Sequence, residues 1–120
     1  MNFSFGSERR IKRNRDFQRI FSIGKVIAND WLVCRYVEND LEYPRLGIVV
    51  SRKFGKAHIR NRFKRYVREI FRMTCMKENV DVVILPKKKL KNAFREMSFD
   101  SFSEKLAALF EELKENFIES

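Results

Sequence analysis

In the segment from residue 57 to about residue 77, the apolar residues are spaced so that they would share one face of an α-helix. They recur mainly at spacings of three and four, the period of an α-helix with a buried face. The residues that share this face are Ile59, Phe63, Tyr66, Val67, Ile70 and Phe71. Burying such large side chains requires a partner surface, so the helix is predicted to pack against other elements of a folded domain.

The rest of this helix carries a concentration of positive charge. Its polar residues lie opposite or beside the apolar stripe: Arg60, Asn61, Arg62, Lys64, Arg65, Arg68 and Arg72. From Arg52 to Arg72 there are nine bases and one acid. A solvated face usually mixes the two signs, because opposite charges at i,i+4 stabilise a helix. Guanidinium groups bind phosphate with two hydrogen bonds, so the pattern predicts a nucleic-acid-binding face. No helix-turn-helix, zinc finger or basic zipper surrounds it, which favours RNA over DNA.

Other segments have the composition of β-strands. Residues 30–39 and 45–51 flank a polar turn and are expected to pair antiparallel, and residues 79–86 form a short apolar strand that ends at a proline. The chain reads helix, strands, helix, strand, helix, and we predict an α+β fold of order α-β-β-β-α-β-α. This fold is a two-layer sandwich with a mixed sheet, in which residues 45–51, the basic helix and residues 79–86 form a β-α-β unit.

A short helix is predicted near the N-terminus. It begins at Asn14, which can cap it, and ends at Gly24, a residue type common just after helices. Its apolar residues spread over roughly 160° of the circumference, which is wide for a helix lying on one core. Ile20 and Ile23 are expected to pack inward, which leaves the apolar residues of the other side at an edge.

The C-terminal quarter differs from the rest in charge. Residues 96–120 carry seven acids and two bases, a net charge of −5, whereas residues 1–95 carry 24 bases and nine acids, a net charge of +15. The last helix has Ser101 and Glu104 at capping-box spacing. Residues 1–120 are expected to form a single domain, with residues 1–12 as a flexible basic arm. The excess of positive charge points to a polyanionic partner.

Several classes of function are not supported by the composition. The two cysteines, Cys34 and Cys75, form no CxxC pair, and His58 is the only histidine, so a zinc site is not expected. The acids are scattered, and no set of residues resembles the active site of a self-sufficient nuclease. No apolar run approaches the length of a membrane span or a signal peptide. We therefore expect a soluble cytoplasmic protein with no membrane partner.

The stretch from residue 45 to residue 72, RLGIVVSRKFGKAHIRNRFKRYVREIFR, resembles the signature region of the bacterial ribonuclease P protein component. That family has G-[hydrophobic]-x-V-S-[KR]-[KR]-x-G-x-A leading into an R-N-R-x-K-R-x-x-R-E helix. The earlier stretch RNRDFQRIFSIGK resembles the family's D-F-x-x-[hydrophobic]-F-x-x-G-[KR]. Residues 87–96 are interpreted as a basic connection before the last helix. The likeness spans roughly residues 10–115.

The resemblance implies the small subunit of a ribonucleoprotein endonuclease that removes 5′ leaders from precursor tRNA. The expected partners are the catalytic RNA and precursor tRNA, with no DNA. The large RNA is then the catalyst and holds the Mg²⁺, so no catalytic residue and no metal ligand are expected in the protein. In this family the β-α-β crossover is left-handed, against the general rule.

Carried over to this chain, the family's contacts fall on three sets of residues. The catalytic RNA is expected to contact Arg60, Asn61, Arg62, Lys64, Arg65 and Arg68. The leader is expected to lie in a cleft lined by Phe17, Phe21, Ser51 and Lys53. Secondary basic contacts are expected from Arg52, Lys56 and Arg72.

Two positions depart from the family's pattern. Arg35 is expected to face the cleft where the family often has an aromatic or small residue. Val49 stands where a small polar residue is common. Both affect the cleft rather than the assignment. A structural RNA-binding protein of ribosomal type is the alternative interpretation, because net charge and fold class suit it equally well.

Overall fold

The computed structural model of the chain describes residues 9–119, and the side chains as far as Phe117. Four helices and four strands make up this part of the chain. In chain order they are α1 (Asn14–Ile23), β1 (Lys25–Ala28), β2 (Leu32–Glu38), β3 (Arg45–Ile48), α2 (Ala57–Thr74), β4 (Val80–Pro86), α3 (Lys88–Ala93) and α4 (Phe99–Glu119). The predicted α+β order is confirmed, with one addition, because α3 forms within the stretch interpreted as a basic connection.

The four strands form one mixed sheet in the order β1-β2-β4-β3. β1 pairs antiparallel with β2, β2 pairs antiparallel with β4, and β3 pairs parallel with β4. The predicted antiparallel pairing of residues 30–39 with 45–51 is therefore wrong, because β4 lies between these strands. β4 is buried at its first five positions, as expected for a strand covered on both faces. The predicted β-α-β unit of β3, α2 and β4 is confirmed, and its left-handed sense stays a prediction.

One face of the sheet carries the large core beneath α2, α3 and α4. The apolar stripe of α2 lies in this core, with Phe63 and Val67 completely buried. Four phenylalanines pack around one another with ring centroids 5.1 to 5.7 Å apart: Phe54, Phe63, Phe94 and Phe102. Such ring pairs add to the energy of burial, so this layer holds α2 in one position.

The opposite face of the sheet is covered only in part, by α1. A small cluster of Ile11, Ile20 and Val83 is buried there. Ile23 is 61% exposed, so the prediction that it packs inward is wrong. The physical reason is its position: the chain passes from Ile23 through one residue into β1, the edge strand, and no sheet extends beyond that edge.

The predicted bounds of α1 are confirmed, because the helix runs from Asn14 to Ile23 and Gly24 follows it, but the roles of the two end residues differ. The N-cap position is taken by Arg13, and no side chain caps the helix, so the role predicted for Asn14 is wrong. Gly24 does follow the helix, but its φ of −69° is not left-handed. Glycine is required there because a Cβ would collide with the carbonyl oxygen of Ile20 and lie 3.0 Å from that of Tyr36.

The cap of α4 lies three residues before the predicted one. The backbone N–H of Ser101 donates to Oγ of Ser98 at 3.1 Å, and α4 begins at Phe99. Ser98 therefore takes the capping role, and the predicted capping box of Ser101 and Glu104 is wrong. Both serines stand near the helix start, and only the observed hydrogen bond distinguishes them.

The N-terminal arm is attached to the sheet earlier than predicted. Residues 1–8 lie outside the described residues. Arg10 forms a parallel bridge with Leu46, and the N–H of Ile11 donates to the Leu46 carbonyl at 2.9 Å. The side chain of Ile11 is 5% exposed. The prediction of a flexible arm is therefore wrong at these two residues, which extend the edge of the sheet beside β3.

Candidate nucleic-acid interface

The outer face of α2 presents several of the predicted RNA-contacting residues to solvent. The apolar stripe faces the core, so the side chains opposite it point away from the protein. Asn61 and Arg65 are exposed, and Lys64 and Arg68 are half-buried. Arg72 is exposed and is paired with Glu69 on the next turn. Asn61, Lys64, Arg65 and Arg68 thus form a continuous polar surface with three positive charges, here called the α2 basic face.

Arg10 adds positive charge to the α2 basic face. Burial lowers the pKa of Arg68 from its ordinary value, and the nearby Arg10 guanidinium lowers it further. Arg10 reaches this position because it bridges to Leu46 at the β3 edge, next to α2. Its charge is visible in the sequence, but its distance of 58 positions from Arg68 gives no sign of contact. The fold thus brings a base from the N-terminal segment close enough to affect the pKa of a base on α2.

Arg62 is oriented differently from the other arginines of α2. Its Nη2 donates to the backbone carbonyls of Phe94 at 2.8 Å and Arg95 at 2.9 Å. Its guanidinium carbon lies 4.8 Å from the centroid of the Phe94 ring, and its Nε is buried without a hydrogen-bond partner. Arg62 therefore anchors the segment after α3 to α2, although the resemblance had assigned it to the RNA-binding set.

Arg60 of the predicted set also has a partner within the protein. Arg60 is half-buried, and its Nε donates to the carbonyl of Gly55 at 3.1 Å, which stabilises the turn before α2. Arg52 and Lys56, the predicted secondary contacts, are exposed on the connection between β3 and α2. The structure thus places both beside the start of the helix, next to Arg60.

The acidic C-terminal helix does not cover the α2 basic face. The two helices meet through apolar side chains, including Phe71 and Phe110 with ring centroids 5.6 Å apart. The Nζ of Lys114 also donates to the carbonyl of Thr74 at 3.0 Å. Among side chains up to residue 117, the only ion pair made by an acid of α4 is Glu111 with Lys114, in the same helix. The bases of α2 are therefore not neutralised by the acids of α4 up to residue 117.

The partly covered face of the sheet holds the two predicted cleft phenylalanines. Phe17 is half-buried, and its ring lies on β3: a Cβ at Gly47 would be 2.8 Å from the Phe17 ring. Phe21 is 39% exposed. Arg35 faces the same side, as predicted, because its guanidinium carbon lies 5.1 Å from the centroid of the Phe21 ring. Its Nη1 also donates to the Phe21 carbonyl at 3.3 Å.

The floor of this cleft is apolar. Leu32, Cys34 and Tyr36 of β2 are buried in the large core, so the alternate residue Val33 points to the α1 side. Val33 pairs in register with Leu85 of β4, and both are half-buried. Val49, just beyond β3, is 36% exposed. Together with Phe17 and Phe21, they line the open surface called the α1 cleft below.

The other two predicted cleft residues, Ser51 and Lys53, lie beyond the end of β3, on its connection to α2. Ser51 is four residues beyond Gly47, which corresponds to about 13 Å of extended chain. A depression of about 390 Å³ begins at this point, and it is lined by Ser51, Lys53, Phe54, Pro86, Lys87, Lys88 and Lys91. Sequence analysis noted the basic run at 87–91 but did not connect it with Ser51. The structure brings the two segments together because β3 and β4 are parallel neighbours.

A buried ion pair fixes α1 on the sheet. Arg45 donates to both carboxylate oxygens of Asp81, at 2.9 and 2.6 Å, and lies 3.6 Å from a carboxylate oxygen of Asp16 on α1. Asn39 donates to the same Asp81 carboxylate at 2.9 Å. The hydrogen bonds with Asp81 raise the pKa of Arg45. Since Asp16 directly precedes Phe17, this network positions one wall of the α1 cleft.

Two searches of the described residues concern other kinds of site. Across residues 9–119, no group of three or more His, Cys, Asp and Glu residues is arranged to hold a metal ion. In the same part of the chain, every helix is too short or too polar to cross a membrane.

Comparison with known proteins identifies relatives that match nearly the whole chain. A family model described as Ribonuclease P matches residues 5–114. The ribonuclease P protein component of Thermotoga maritima is 43% identical over 116 residues, which cover 95% of this chain and 99% of the relative. That of Fusobacterium nucleatum is 33% identical, with 87% and 96% covered.

Solved structures match the fold equally well. The RNase P protein from Thermotoga maritima superposes with a TM-score of 0.78 and 45% identity, over 83% of this chain and 93% of that one. The Staphylococcus aureus RNase P protein superposes with a TM-score of 0.80 and 32% identity, over 88% and 95% of the two chains.

Proposed function

The chain belongs to the ribonuclease P protein family, and we propose that it serves as the protein subunit of a ribonucleoprotein that removes 5′ leaders from precursor tRNA. The observation that carries this proposal is the α2 basic face, which stands on a rigid core and is not neutralised by the acids of α4 up to residue 117. The proposal places the protein in the cytoplasm, with the catalytic RNA and precursor tRNA as its partners.

The α2 basic face binds the catalytic RNA in this proposal. Arg65 and Arg68 supply planar guanidinium groups, which suit paired hydrogen bonds to phosphate oxygens. Asn61 lies on the same face and adds a neutral donor and acceptor. Because α2 is held by the phenylalanine core, these groups are positioned before RNA arrives. Binding should weaken steeply as salt rises, since each phosphate contact releases counterions.

The α1 cleft binds the leader in this proposal. An exposed aromatic ring over an apolar floor offers a stacking surface that any base can use. Phe21 is the more accessible of the two rings, and Arg35 lies against it. A cleft with this lining is expected to tolerate different leader sequences, because stacking reads no base edges.

The chemical step is assigned to the RNA. In this proposal Mg²⁺ is held mainly by the catalytic RNA, where it can activate the attacking water and stabilise the developing charge. The protein's contribution is electrostatic: its bases reduce the repulsion among phosphates of leader, catalytic RNA and tRNA. We therefore expect the protein to raise substrate affinity and to lower the Mg²⁺ concentration that the RNA requires.

Reconstitution with each component left out in turn tests this function. We expect the protein to stimulate cleavage of precursor tRNA at low Mg²⁺ by the ribonuclease P RNA of its own genome, and to cleave nothing alone. A structural RNA-binding protein of ribosomal type would give no stimulation. Cleavage by the protein without the RNA would instead indicate a self-sufficient nuclease. Either result would overturn the proposal.

A further inference from the structure

Four residues of the sheet form one cross-strand row on the side that α1 covers. Val83 of β4 belongs to the buried cluster on this side, and it pairs in register with Gly47 of β3 and with Arg35 of β2. Arg35 in turn pairs with Val26 of β1. Residues directly opposite one another across a sheet share a face. All four members of the row therefore lie on the α1 side.

The two phenylalanines of α1 contact two different members of this row. Phe17 and Phe21 are about one helical turn apart, so both point to the same side of α1. The Phe17 ring lies on Gly47, because a Cβ there would be 2.8 Å from its Cε1 and 3.0 Å from its Cζ. The Phe21 ring has its centroid 5.1 Å from the guanidinium carbon of Arg35. One ring thus rests on backbone alone, and the other on a long side chain.

The difference in support agrees with the difference in exposure of the two rings. Phe17 is half-buried and packs against the cluster of Ile11, Ile20 and Val83. Phe21 is 39% exposed. An arginine beneath a ring holds it farther from the sheet than a glycine does, because the arginine side chain fills space that the ring would otherwise enter. The size of the row residue therefore accounts for which ring reaches solvent.

Glycine is needed at position 47 only because of the Phe17 ring. Gly47 lies within β3, and its φ is not positive, so any residue could adopt its backbone conformation. An alanine Cβ would meet the Phe17 ring and would also lie 3.3 Å from Cβ of Ile11. Ordinary contacts between carbon atoms are about 3.5–4.0 Å. Gly47→Ala must therefore displace the ring by roughly 0.7 Å or more.

Arg35 contacts both the ring and the backbone of Phe21. Its guanidinium lies against the ring, an arrangement in which the cation is attracted to the aromatic face. Its Nη1 also donates to the Phe21 carbonyl at 3.3 Å. These two contacts fix the position of one residue of α1 relative to β2. The part of the Phe21 ring that remains exposed is available to a base.

We propose that Gly47 and Arg35 are positioning residues, which make Phe21 rather than Phe17 the ring on which a leader base stacks. The inference rests on the proposed function, because it assigns roles within the α1 cleft. Gly47 allows Phe17 to lie close to the sheet, where the ring acts as a spacer between α1 and β3. Arg35 holds Phe21 away from the sheet, and it acts through that ring rather than by binding a leader phosphate.

The first test compares variants of Arg35 in the reconstituted holoenzyme. Affinity is measured for precursor tRNA and for mature tRNA, and their ratio reports leader binding. Arg35→Ala removes the bulk beneath Phe21 and should lower the ratio about tenfold. Arg35→Met keeps a long side chain without the charge. It should stay within about threefold of the unchanged protein, because an exposed cation–π contact contributes little.

Arg19 provides a matched control on the same side of the sheet. It is an exposed arginine of α1, and its Nη2 donates to the backbone carbonyl of Glu38 at 3.3 Å. Arg19→Ala removes the same charge and a hydrogen bond of the same kind, but Arg19 is not a member of the row. The affinity ratio should therefore stay unchanged in this variant.

A double-mutant cycle distinguishes action through the ring from direct contact with RNA. In a Phe21→Leu background, Arg35→Ala should cause no further loss of leader affinity, because the ring that it positions is gone. A direct phosphate contact would instead cause its full loss in that background. It would also lower the slope of log affinity against log salt by about 0.7.

The second test concerns Gly47. Gly47→Ala should lower the affinity ratio about fivefold, because displacing Phe17 moves α1 and with it Phe21. Affinity for the catalytic RNA should not change. Gly47→Ala/Phe17→Leu should bind leader as well as Phe17→Leu alone, since the added Cβ then meets no ring. Melting temperatures are compared as a folding check, and the double variant keeps the test valid if Gly47→Ala melts early.

Four outcomes would contradict the inference. One is an unchanged affinity ratio in Arg35→Ala, and another is an equal loss in Arg35→Met, which would indicate a contact of the charge. The third is a loss from Gly47→Ala that persists in the Phe17→Leu background. The fourth is a greater loss of leader affinity in Phe17→Leu than in Phe21→Leu. Failure of the proposed function is distinguishable from these, because the unchanged protein would then not stimulate cleavage at all.

Discussion

The α2 basic face and the α1 cleft lie on opposite sides of one sheet. The helices that carry them pack against hydrophobic clusters of very different size. α2 stands on a core with four phenylalanines in mutual contact. α1 stands on a cluster of three fully packed residues and is tied down by the ion pairs of Arg45. In the proposed function, the side that binds the catalytic RNA is therefore the rigidly supported one. The side that binds leaders of varied sequence is open and apolar.

The largest effect is expected from removing a buried side chain from the core beneath α2. Phe63→Ala removes a completely buried ring and should lower the free energy of unfolding by about 3–5 kcal/mol. The α2 basic face would then lose its support. Urea or thermal unfolding measures this change. Phe21→Ala, on the partly covered side, should change the stability by less than about 1 kcal/mol because its ring is exposed. Equal destabilisation by the two variants would refute the contrast.

The next effect separates two arginines of the same helix. Arg62→Gln breaks hydrogen bonds to the Phe94 and Arg95 carbonyls. The Phe94 carbonyl still accepts from the Met97 N–H at 3.1 Å, whereas the Arg95 carbonyl loses the Arg62 donor. The free energy of unfolding should fall by about 2 kcal/mol. Arg65→Gln, on an exposed side chain, should leave it within about 0.5 kcal/mol. Chemical unfolding curves of both variants decide the matter. If Arg62→Gln left the free energy of unfolding unchanged, the anchoring role would be refuted and Arg62 would again be a candidate for RNA contact.

A third effect should be confined to the α1 cleft. Phe21→Ala should weaken binding of leader-bearing precursor tRNA by about 1–3 kcal/mol, the energy of stacking one base on an aromatic ring. Binding of mature tRNA should not change. Phe21→Leu keeps an apolar side chain without the ring and is the control for stacking. If leucine restores full affinity, the contact is apolar coverage; if both tRNAs lose affinity equally, the cleft does not hold the leader.

The smallest effect concerns a single charge on the α2 basic face. Arg65→Ala should lower affinity for the catalytic RNA by about 1 kcal/mol and reduce the slope of log affinity against log salt by about 1. The domain should remain folded. Arg65→Lys preserves the charge but not the planar fork, so partial recovery would show how much of the contact depends on paired hydrogen bonds. Filter binding over a range of salt concentrations measures both quantities.

Features carried by local spacing could be predicted from the sequence. The apolar stripe of α2 recurs with the helical period, and its members are buried as expected, with Tyr66 only partly covered. The orientation of Arg35 toward the cleft was predicted from the resemblance to the family, and the structure confirms it. Strand neighbours could not be found in this way. The strand within residues 45–51 pairs with β4, which follows it in the chain only after the 18-residue helix α2. The polar turn before residue 45 had instead suggested pairing with the preceding strand.

In the candidate site too, some properties of a residue could be predicted from its local sequence and others could not. The charge and helical face of Arg62 are determined by its position in α2. Its anchoring role is not, because the two carbonyls that it binds lie 32 and 33 positions away along the chain. Helical spacing places Arg62 beside the apolar stripe and Arg65 opposite it, but this spacing does not identify the carbonyls that Arg62 binds.

By itself the sequence determined that one helix has an apolar side and a side rich in positive charge, because helical spacing is a local property. It also determined the family, through the residues from 45 to 72. Only the tertiary structure decided which bases remain available to RNA and which hold the protein together. It also brought Lys53 and the lysines of α3 around one depression. The physical reason is that these arrangements depend on packing between segments far apart in the chain, which no spacing within one segment encodes.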